Sequence, residues 1–186
     1  TFAATLTGSA FNVTGNTFRA CAAAISGTSS PQTNVTITSN VATGGAHFYH
    51  SLSAVMSGVT VADNVVFDCT GEAILVVNSL PTDVVVRGNS IAYSAALATG
   101  SNRRAIALRS GGKRVTIEDN NISTAVTDVA ANTGGLIEVG NGACTDVVIR
   151  GNTVRGVGLV ANITGIRVDP SVTNTRGVIV DNLVES

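Results

Sequence analysis

Asp146-Val147-Val148-Ile149-Arg150-Gly151-Asn152 alternates apolar and polar side chains and then stops at an asparagine. Period-2 alternation is the signature of a strand with one buried face, and this strand recurs. Asn34-Val35-Thr36-Ile37-Thr38-Ser39-Asn40 and Arg114-Val115-Thr116-Ile117-Glu118-Asp119-Asn120 read the same way. In all, seven such runs close on Asn16, Asn40, Asn64, Asn89, Asn120, Asn152 and Asn182, at intervals of 24, 24, 25, 31, 32 and 30 residues. A repeat of that length is one supersecondary unit that cannot bury its apolar face alone and must stack on its neighbours. The chain is therefore expected to be a solenoid.

Each period holds another strand, centred on Ile25, Phe48, Ile74, Ile106, Ile137 and Ile166, which lie 15, 16, 15, 14, 15 and 16 residues before the next asparagine. So constant an arc is what a register-locked stack requires. The opposite arc varies, with its extra length in three successive stretches, Ile91–Arg104, Ile122–Gly134 and Val154–Thr164. A third short strand follows each asparagine, as in Asn120-Asn121-Ile122. Alternation then points Ile106, Leu108, Val115, Ile117 and Ile122 inward in one coil and Ile137, Val139, Val147, Ile149 and Val154 in the next. The fold class is all-β, a parallel β-helix of about six full turns with three strands each, roughly 29 Å long at about 4.8 Å per turn.

Composition agrees. The 186 residues are 44% hydrophobic with only 4% aromatic and 12% charged, a balance of small and β-branched side chains suited to tightly stacked strands. One domain over residues 1–186 is expected, and because the repeat is cut at both ends, a fragment of a longer protein. A net charge of −1 gives no field to attract DNA, so no nucleic acid is expected as a partner. No apolar run reaches the roughly 18 residues of a membrane span, so no membrane insertion is expected. Cys21, Cys69 and Cys144 are odd in number and lack metal-ligand spacing, and read as small buried thiols.

The strands ending in Asn40, Asn120 and Asn152 resemble those of the right-handed parallel β-helix of the pectate-lyase-like superfamily, and the likeness covers essentially the whole chain. Lyases, hydrolases, epimerases, phage tailspikes and adhesins share that coil. The low-charge composition is most similar to a phage tailspike or depolymerase segment. That likeness implies a homotrimer on the virion surface or outside the cell, with a bacterial polysaccharide as partner. The polygalacturonase signatures Asn-Thr-Asp, Asp-Asp and Gly-His-Gly are absent.

The asparagines read as structural, since Asn tolerates the left-handed bend between sheets and its amide can bond to its equivalent one coil away. The outward face of the asparagine strand carries Thr38, Ala62, Arg87, Glu118, Arg150 and Asp181, a surface charge ladder. The outward face of the first strand gathers Arg109, Glu138, Arg167 and Asp169 where the long stretches arrive. Glu138 and Asp169 are the candidate acid and base, about 8 Å apart between alpha carbons on strand geometry. Arg109, Arg167 and Arg104 are candidates for holding a uronate carboxylate, because guanidinium forks bind carboxylates bidentately. His47 and Tyr49 are expected to face outward and His50 inward, so Tyr49 joins the candidate substrate contacts. Two carboxylates are too few for a calcium cluster, and no metal or other cofactor is expected. A non-enzymatic stalk or adhesin, and a secreted uronan lyase or epimerase, remain as alternatives to the polysaccharide-binding, cleavage-capable tailspike.

Overall fold

The computed structural model describes residues 2–52, 55–77, 81–94, 104–125, 135–140, 142–156, 164–168 and 174–185. Every strand pair is parallel, and the strands form one 13-stranded and one 7-stranded sheet wound into a right-handed parallel β-helix. The coil around Asn120 shows the plan. Its first strand is Ile106–Leu108, its second Gly112–Glu118 and its third Asn121–Thr124. Each pairs with its equivalent one coil away, Ile106 with Ile137, Val115 with Val147 and Ile122 with Val154. Near the start of the chain the first and second strands run together as Ala23–Thr38, which joins their two columns into the larger sheet.

The inward positions stack like on like. Val35, Val59, Val84, Val115 and Val147 form one column, Ile37, Val61, Val86, Ile117 and Ile149 a second, and Ala42, Val66, Ile91, Ile122 and Val154 a third, none more than 4% exposed. β-branched side chains in register fill a narrow core with few rotamers lost, and each fully buried Val or Ile contributes about 1.5–3 kcal/mol of transfer free energy.

The asparagines form an unbroken ladder. In every coil the backbone N–H and the side-chain Nδ2 donate to the Oδ1 of the next asparagine, from Asn16 to Asn40 at one end through Asn120 to Asn152 and on to Asn182. Nδ2 also donates to a carbonyl of its own strand and to one in the preceding coil, for Asn64 those of Ala62 and Ile37. Buried amides are tolerated because both polar atoms are satisfied. The left-handed conformation, expected at the asparagine, belongs to the residue before it: Gly15, Ser39, Asp63, Gly88, Asp119, Gly151 and Asp181 have φ between 53° and 69°. That residue turns the corner, which frees the asparagine side chain to point inward.

Two further expectations change. Phe48 and Tyr49 both donate their backbone N–H to Ala73 O, so two residues oppose one. Such a bulge flips the alternation downstream, and Tyr49, not Phe48, pairs with Ile25 and Ile74. Tyr49 is fully buried, with its hydroxyl donating to Gln32 Oε1 at 2.8 Å, while His50 takes the outward register between Ser26 and Leu75. In the second-strand ladder Arg150 Nη2 reaches Glu118 Oε2 at 2.7 Å, but the residue opposite Arg150 in the last coil is Val180, not Asp181, which occupies the corner. Of the cysteines, Cys69 and Cys144 are buried and Cys21 is half-buried.

Candidate functional site

Two residues ahead of the stacked Tyr49, Ile74, Ile106 and Ile137 stand His47, Glu72, Arg104 and Gly135. In-register stacking of the first strands brings these positions into one line along the helix axis. Opposite charges one coil apart then meet. His47 Nδ1 lies 2.8 Å from the Glu72 carbonyl oxygen and 3.9 Å from its carboxylate. Arg104 Nη1 lies 3.5 Å from Glu72 Oε1, and Arg109 donates a hydrogen bond to the same oxygen. On its other side Arg104 Nε lies 2.8 Å from Glu138 Oε2, which also accepts the Gly135 N–H at 3.2 Å and has Arg167 Nη1 at 3.9 Å. The result is an ion ladder over five coils, His47, Glu72, Arg104 with Arg109, Glu138 and Arg167. Gly135 leaves room for it: a Cβ there would sit 2.8 Å from Arg167 Cβ.

The ladder is mostly shielded from water. The side chains of Glu72, Glu138 and Arg104 are 6, 7 and 10% exposed, whereas Arg109 and Arg167 keep 27 and 36%. Leu75 and Ala107, outward by alternation, are buried too. This face is therefore largely shielded, and Arg109 pairs with Glu72 of the neighbouring coil. Burial, and then the neighbouring His47, holds the His50 imidazole below the usual histidine range, with the two rings 4.6 Å apart between centroids.

Of the residues singled out from the sequence, the fold brings Arg104, Arg109, Glu138 and Arg167 together. Tyr49 is removed to the core, and Asp169 lies outside the described residues, as do most of the three longer stretches. Glu72 was missed. Its signal was present in the spacing, since Glu72 precedes Ile74 by the same two residues as Arg104 precedes Ile106.

Nitrogen and sulfur donors are dispersed. Cys69 is fully buried, and burial with the nearby Asp68 charge pushes its thiol up to about 12. Cys21 Sγ donates to Arg19 O and Cys144 Sγ to Gly142 O. Among the described residues no three His, Cys, Asp or Glu side chains converge on a point that could hold a metal ion.

Stacked parallel coils and an unbroken asparagine ladder define this chain as a parallel β-helix. The chain belongs to the NosD family, described as periplasmic copper-binding proteins, whose family model matches residues 2–142. Comparison with curated proteins and with solved structures finds no match. No helix among the described residues is long and apolar enough to cross a membrane.

Proposed function

We propose that this protein is an extracytoplasmic β-helix that binds an acidic polysaccharide along the flank bearing Arg109 and Arg167. The observation that carries the reading is the ladder itself. Three guanidinium groups face two carboxylates, and the two outer arginines keep part of their surface in water while Glu72 and Glu138 hold them in place. Anchored guanidinium forks lose little entropy on meeting a uronate carboxylate, and two of them, Arg109 and Arg167, two coils apart on one flank, suit a repeating anionic ligand. Glu138 is held by Arg104, Arg167 and the Gly135 N–H, so it favours a positioning role, and the reading is of binding without turnover.

Among the described residues, the copper that the family description names finds no set of three converging donors. His47 has Nδ1 committed to the Glu72 backbone carbonyl, Arg109 engages the Glu72 side-chain carboxylate, and the three thiols are engaged with carbonyls or buried without a second donor. Affinity electrophoresis in gels containing polygalacturonate or neutral dextran tests the proposal. Retardation by the anionic polymer alone, reduced at least tenfold in R109A/R167A and by 0.5 M salt, is expected. Equal retardation by dextran, or an unaltered double variant, would overturn it. Reducing-end and unsaturated-uronate assays on the same polymers report whether any cleavage accompanies binding.

A further inference from the structure

His50 stands beside the ion ladder and takes no part in it. The bulge at Phe48 and Tyr49 turns its side chain outward, onto the column His50, Leu75, Ala107, Glu138 and Arg167, in which each residue is in register with the next one coil on. Arg109 follows Leu108 on the same flank, in the coil midway between those of His50 and Arg167. His50, Arg109 and Arg167 are thus evenly placed, two coils apart, which is roughly 10 Å at the spacing of hydrogen-bonded strands. Leu75 and Ala107, the column residues that follow His50, are apolar and buried.

The charged groups around the half-buried His50 imidazole come from three coils. His47 of its own strand lies beside it, with 4.6 Å between ring centroids, while Glu72 of the next coil and Arg109 of the one after face it as well. Its register neighbours Ser26 and Leu75 carry no charge. Glu72 is already engaged by Arg109 and Arg104, so its carboxylate is not available to cancel an imidazolium. A proton on His50 would therefore add to the excess of guanidiniums over carboxylates on this flank.

Resting on the reading of this flank as an anion site, we infer that His50 is its third cationic subsite, aligned with Arg109 and Arg167, and that it takes a uronate carboxylate when its imidazole is protonated. Burial and then His47 hold that imidazole below the usual histidine range, so near neutrality it is uncharged and the flank offers two cations. As pH falls through the lowered value the imidazolium forms and supplies the third. A bound carboxylate favours the charged form. Affinity therefore rises on acidification, and by reciprocity the bound anion moves the titration of His50 to higher pH.

Fluorescence anisotropy of a labelled oligogalacturonate at pH 7.5 and 5.5, at one ionic strength, tests this. Wild type should bind at least about fivefold more tightly at pH 5.5, and H50Q, with its fold checked by circular dichroism, should lose most of that gain. Affinity independent of pH in wild type, or a full gain retained in H50Q, overturns the subsite. R109A/R167A separates the two proposals. Binding at pH 7.5 that this variant loses, with no gain in acid for wild type, removes the subsite alone; no binding at either pH removes the flank reading and the subsite with it. NMR titration of the imidazoles in wild type depends on no variant: saturating oligogalacturonate should move the His50 midpoint to higher pH, and an unmoved midpoint overturns the subsite.

Discussion

Arg104 Nε lies 2.8 Å from Glu138 Oε2, yet neither that nitrogen nor Nη1 makes a hydrogen bond in this geometry. The contact is an ion pair without directional bonding, and Arg104 therefore depends on the combined field of Glu138 and Glu72. Removing one member of a buried ion cluster leaves the other charge poorly compensated, at a cost of about 3–5 kcal/mol. E72A should accordingly lower the stability in urea by about 3 kcal/mol. R150A, which removes the largely exposed partner of Glu118, should have a much smaller effect, because solvent and salt screen an exposed pair. Equal effects of the two variants would show that burial does not set the strength of the ladder.

The asparagine ladder predicts a strong dependence on position. Asn120 Oδ1 accepts the Asn89 N–H at 3.0 Å and Nδ2 at 2.9 Å, and Asn120 Nδ2 donates to Val86 O and Asn152 Oδ1. N120A strands buried donors and an acceptor, each costing about 1–3 kcal/mol, so a loss of about 3 kcal/mol or more is expected by denaturant titration. N182A, in the last rung where water can replace lost partners, should lose about 1 kcal/mol.

Thiol chemistry separates the three cysteines. Cys69 is buried with its thiol pushed up to about 12, so at pH 8 it is almost wholly protonated and inaccessible. Alkylation with iodoacetamide under native conditions, followed by peptide mass mapping, should label the half-buried Cys21 first and leave Cys69 unmodified until the chain is denatured.

Acid should remove one identifiable surface contribution. Hydrogen bonding from Arg114 holds the Asp83 carboxyl below the usual carboxylate range. A depressed folded pKa means that the pair stabilises the fold fully above the ordinary aspartate pKa, and that this is lost as pH falls through the depressed value. The difference in Tm between wild type and R114Q should therefore be constant near neutrality and shrink toward zero in acid, and it should shrink in high salt as well. A difference that grows on acidification would contradict the assignment.

Core columns give the remaining prediction. Ile117 is fully buried between Val86 and Ile149 in the register of the second strands. I117A should cost about 2–5 kcal/mol, because neighbours fixed by inter-coil hydrogen bonds cannot collapse into the space left behind.

Much of the architecture was legible because stacking makes the repeat a physical requirement. The positions of Asn40, Asn64, Asn89, Asn120 and Asn152 imply parallel coils, and the alternation before them assigns Val115 and Ile117 to the core. Even the misplacement of Tyr49 left a trace. The arc from Tyr49 to Asn64 is 15 residues, the value found from Ile25, Ile74 and Ile137, whereas that from Phe48 is 16. Alternation alone could not find the bulge opposite Ala73, because a bulge is a property of two paired strands.

The candidate site was legible only in part for the same reason. Arg109, Glu138 and Arg167 share a face by counting, whereas Arg104 stands at the end of a long stretch, and which carboxylate each guanidinium meets depends on side-chain reach across coils. Tertiary structure gave Arg109 to Glu72 and buried Glu138 between Arg104 and Arg167. The sequence by itself determined the coil, its period and its inward columns, since these follow from periodicity and from the need of each unit to cover its neighbour. Only the tertiary structure decided the corner residue before each asparagine, the inward turn of Tyr49 and the partners within the ion ladder. They rest on contacts between coils, those of the ion ladder joining residues 25 to 37 positions apart in the chain, whose distances no local pattern specifies.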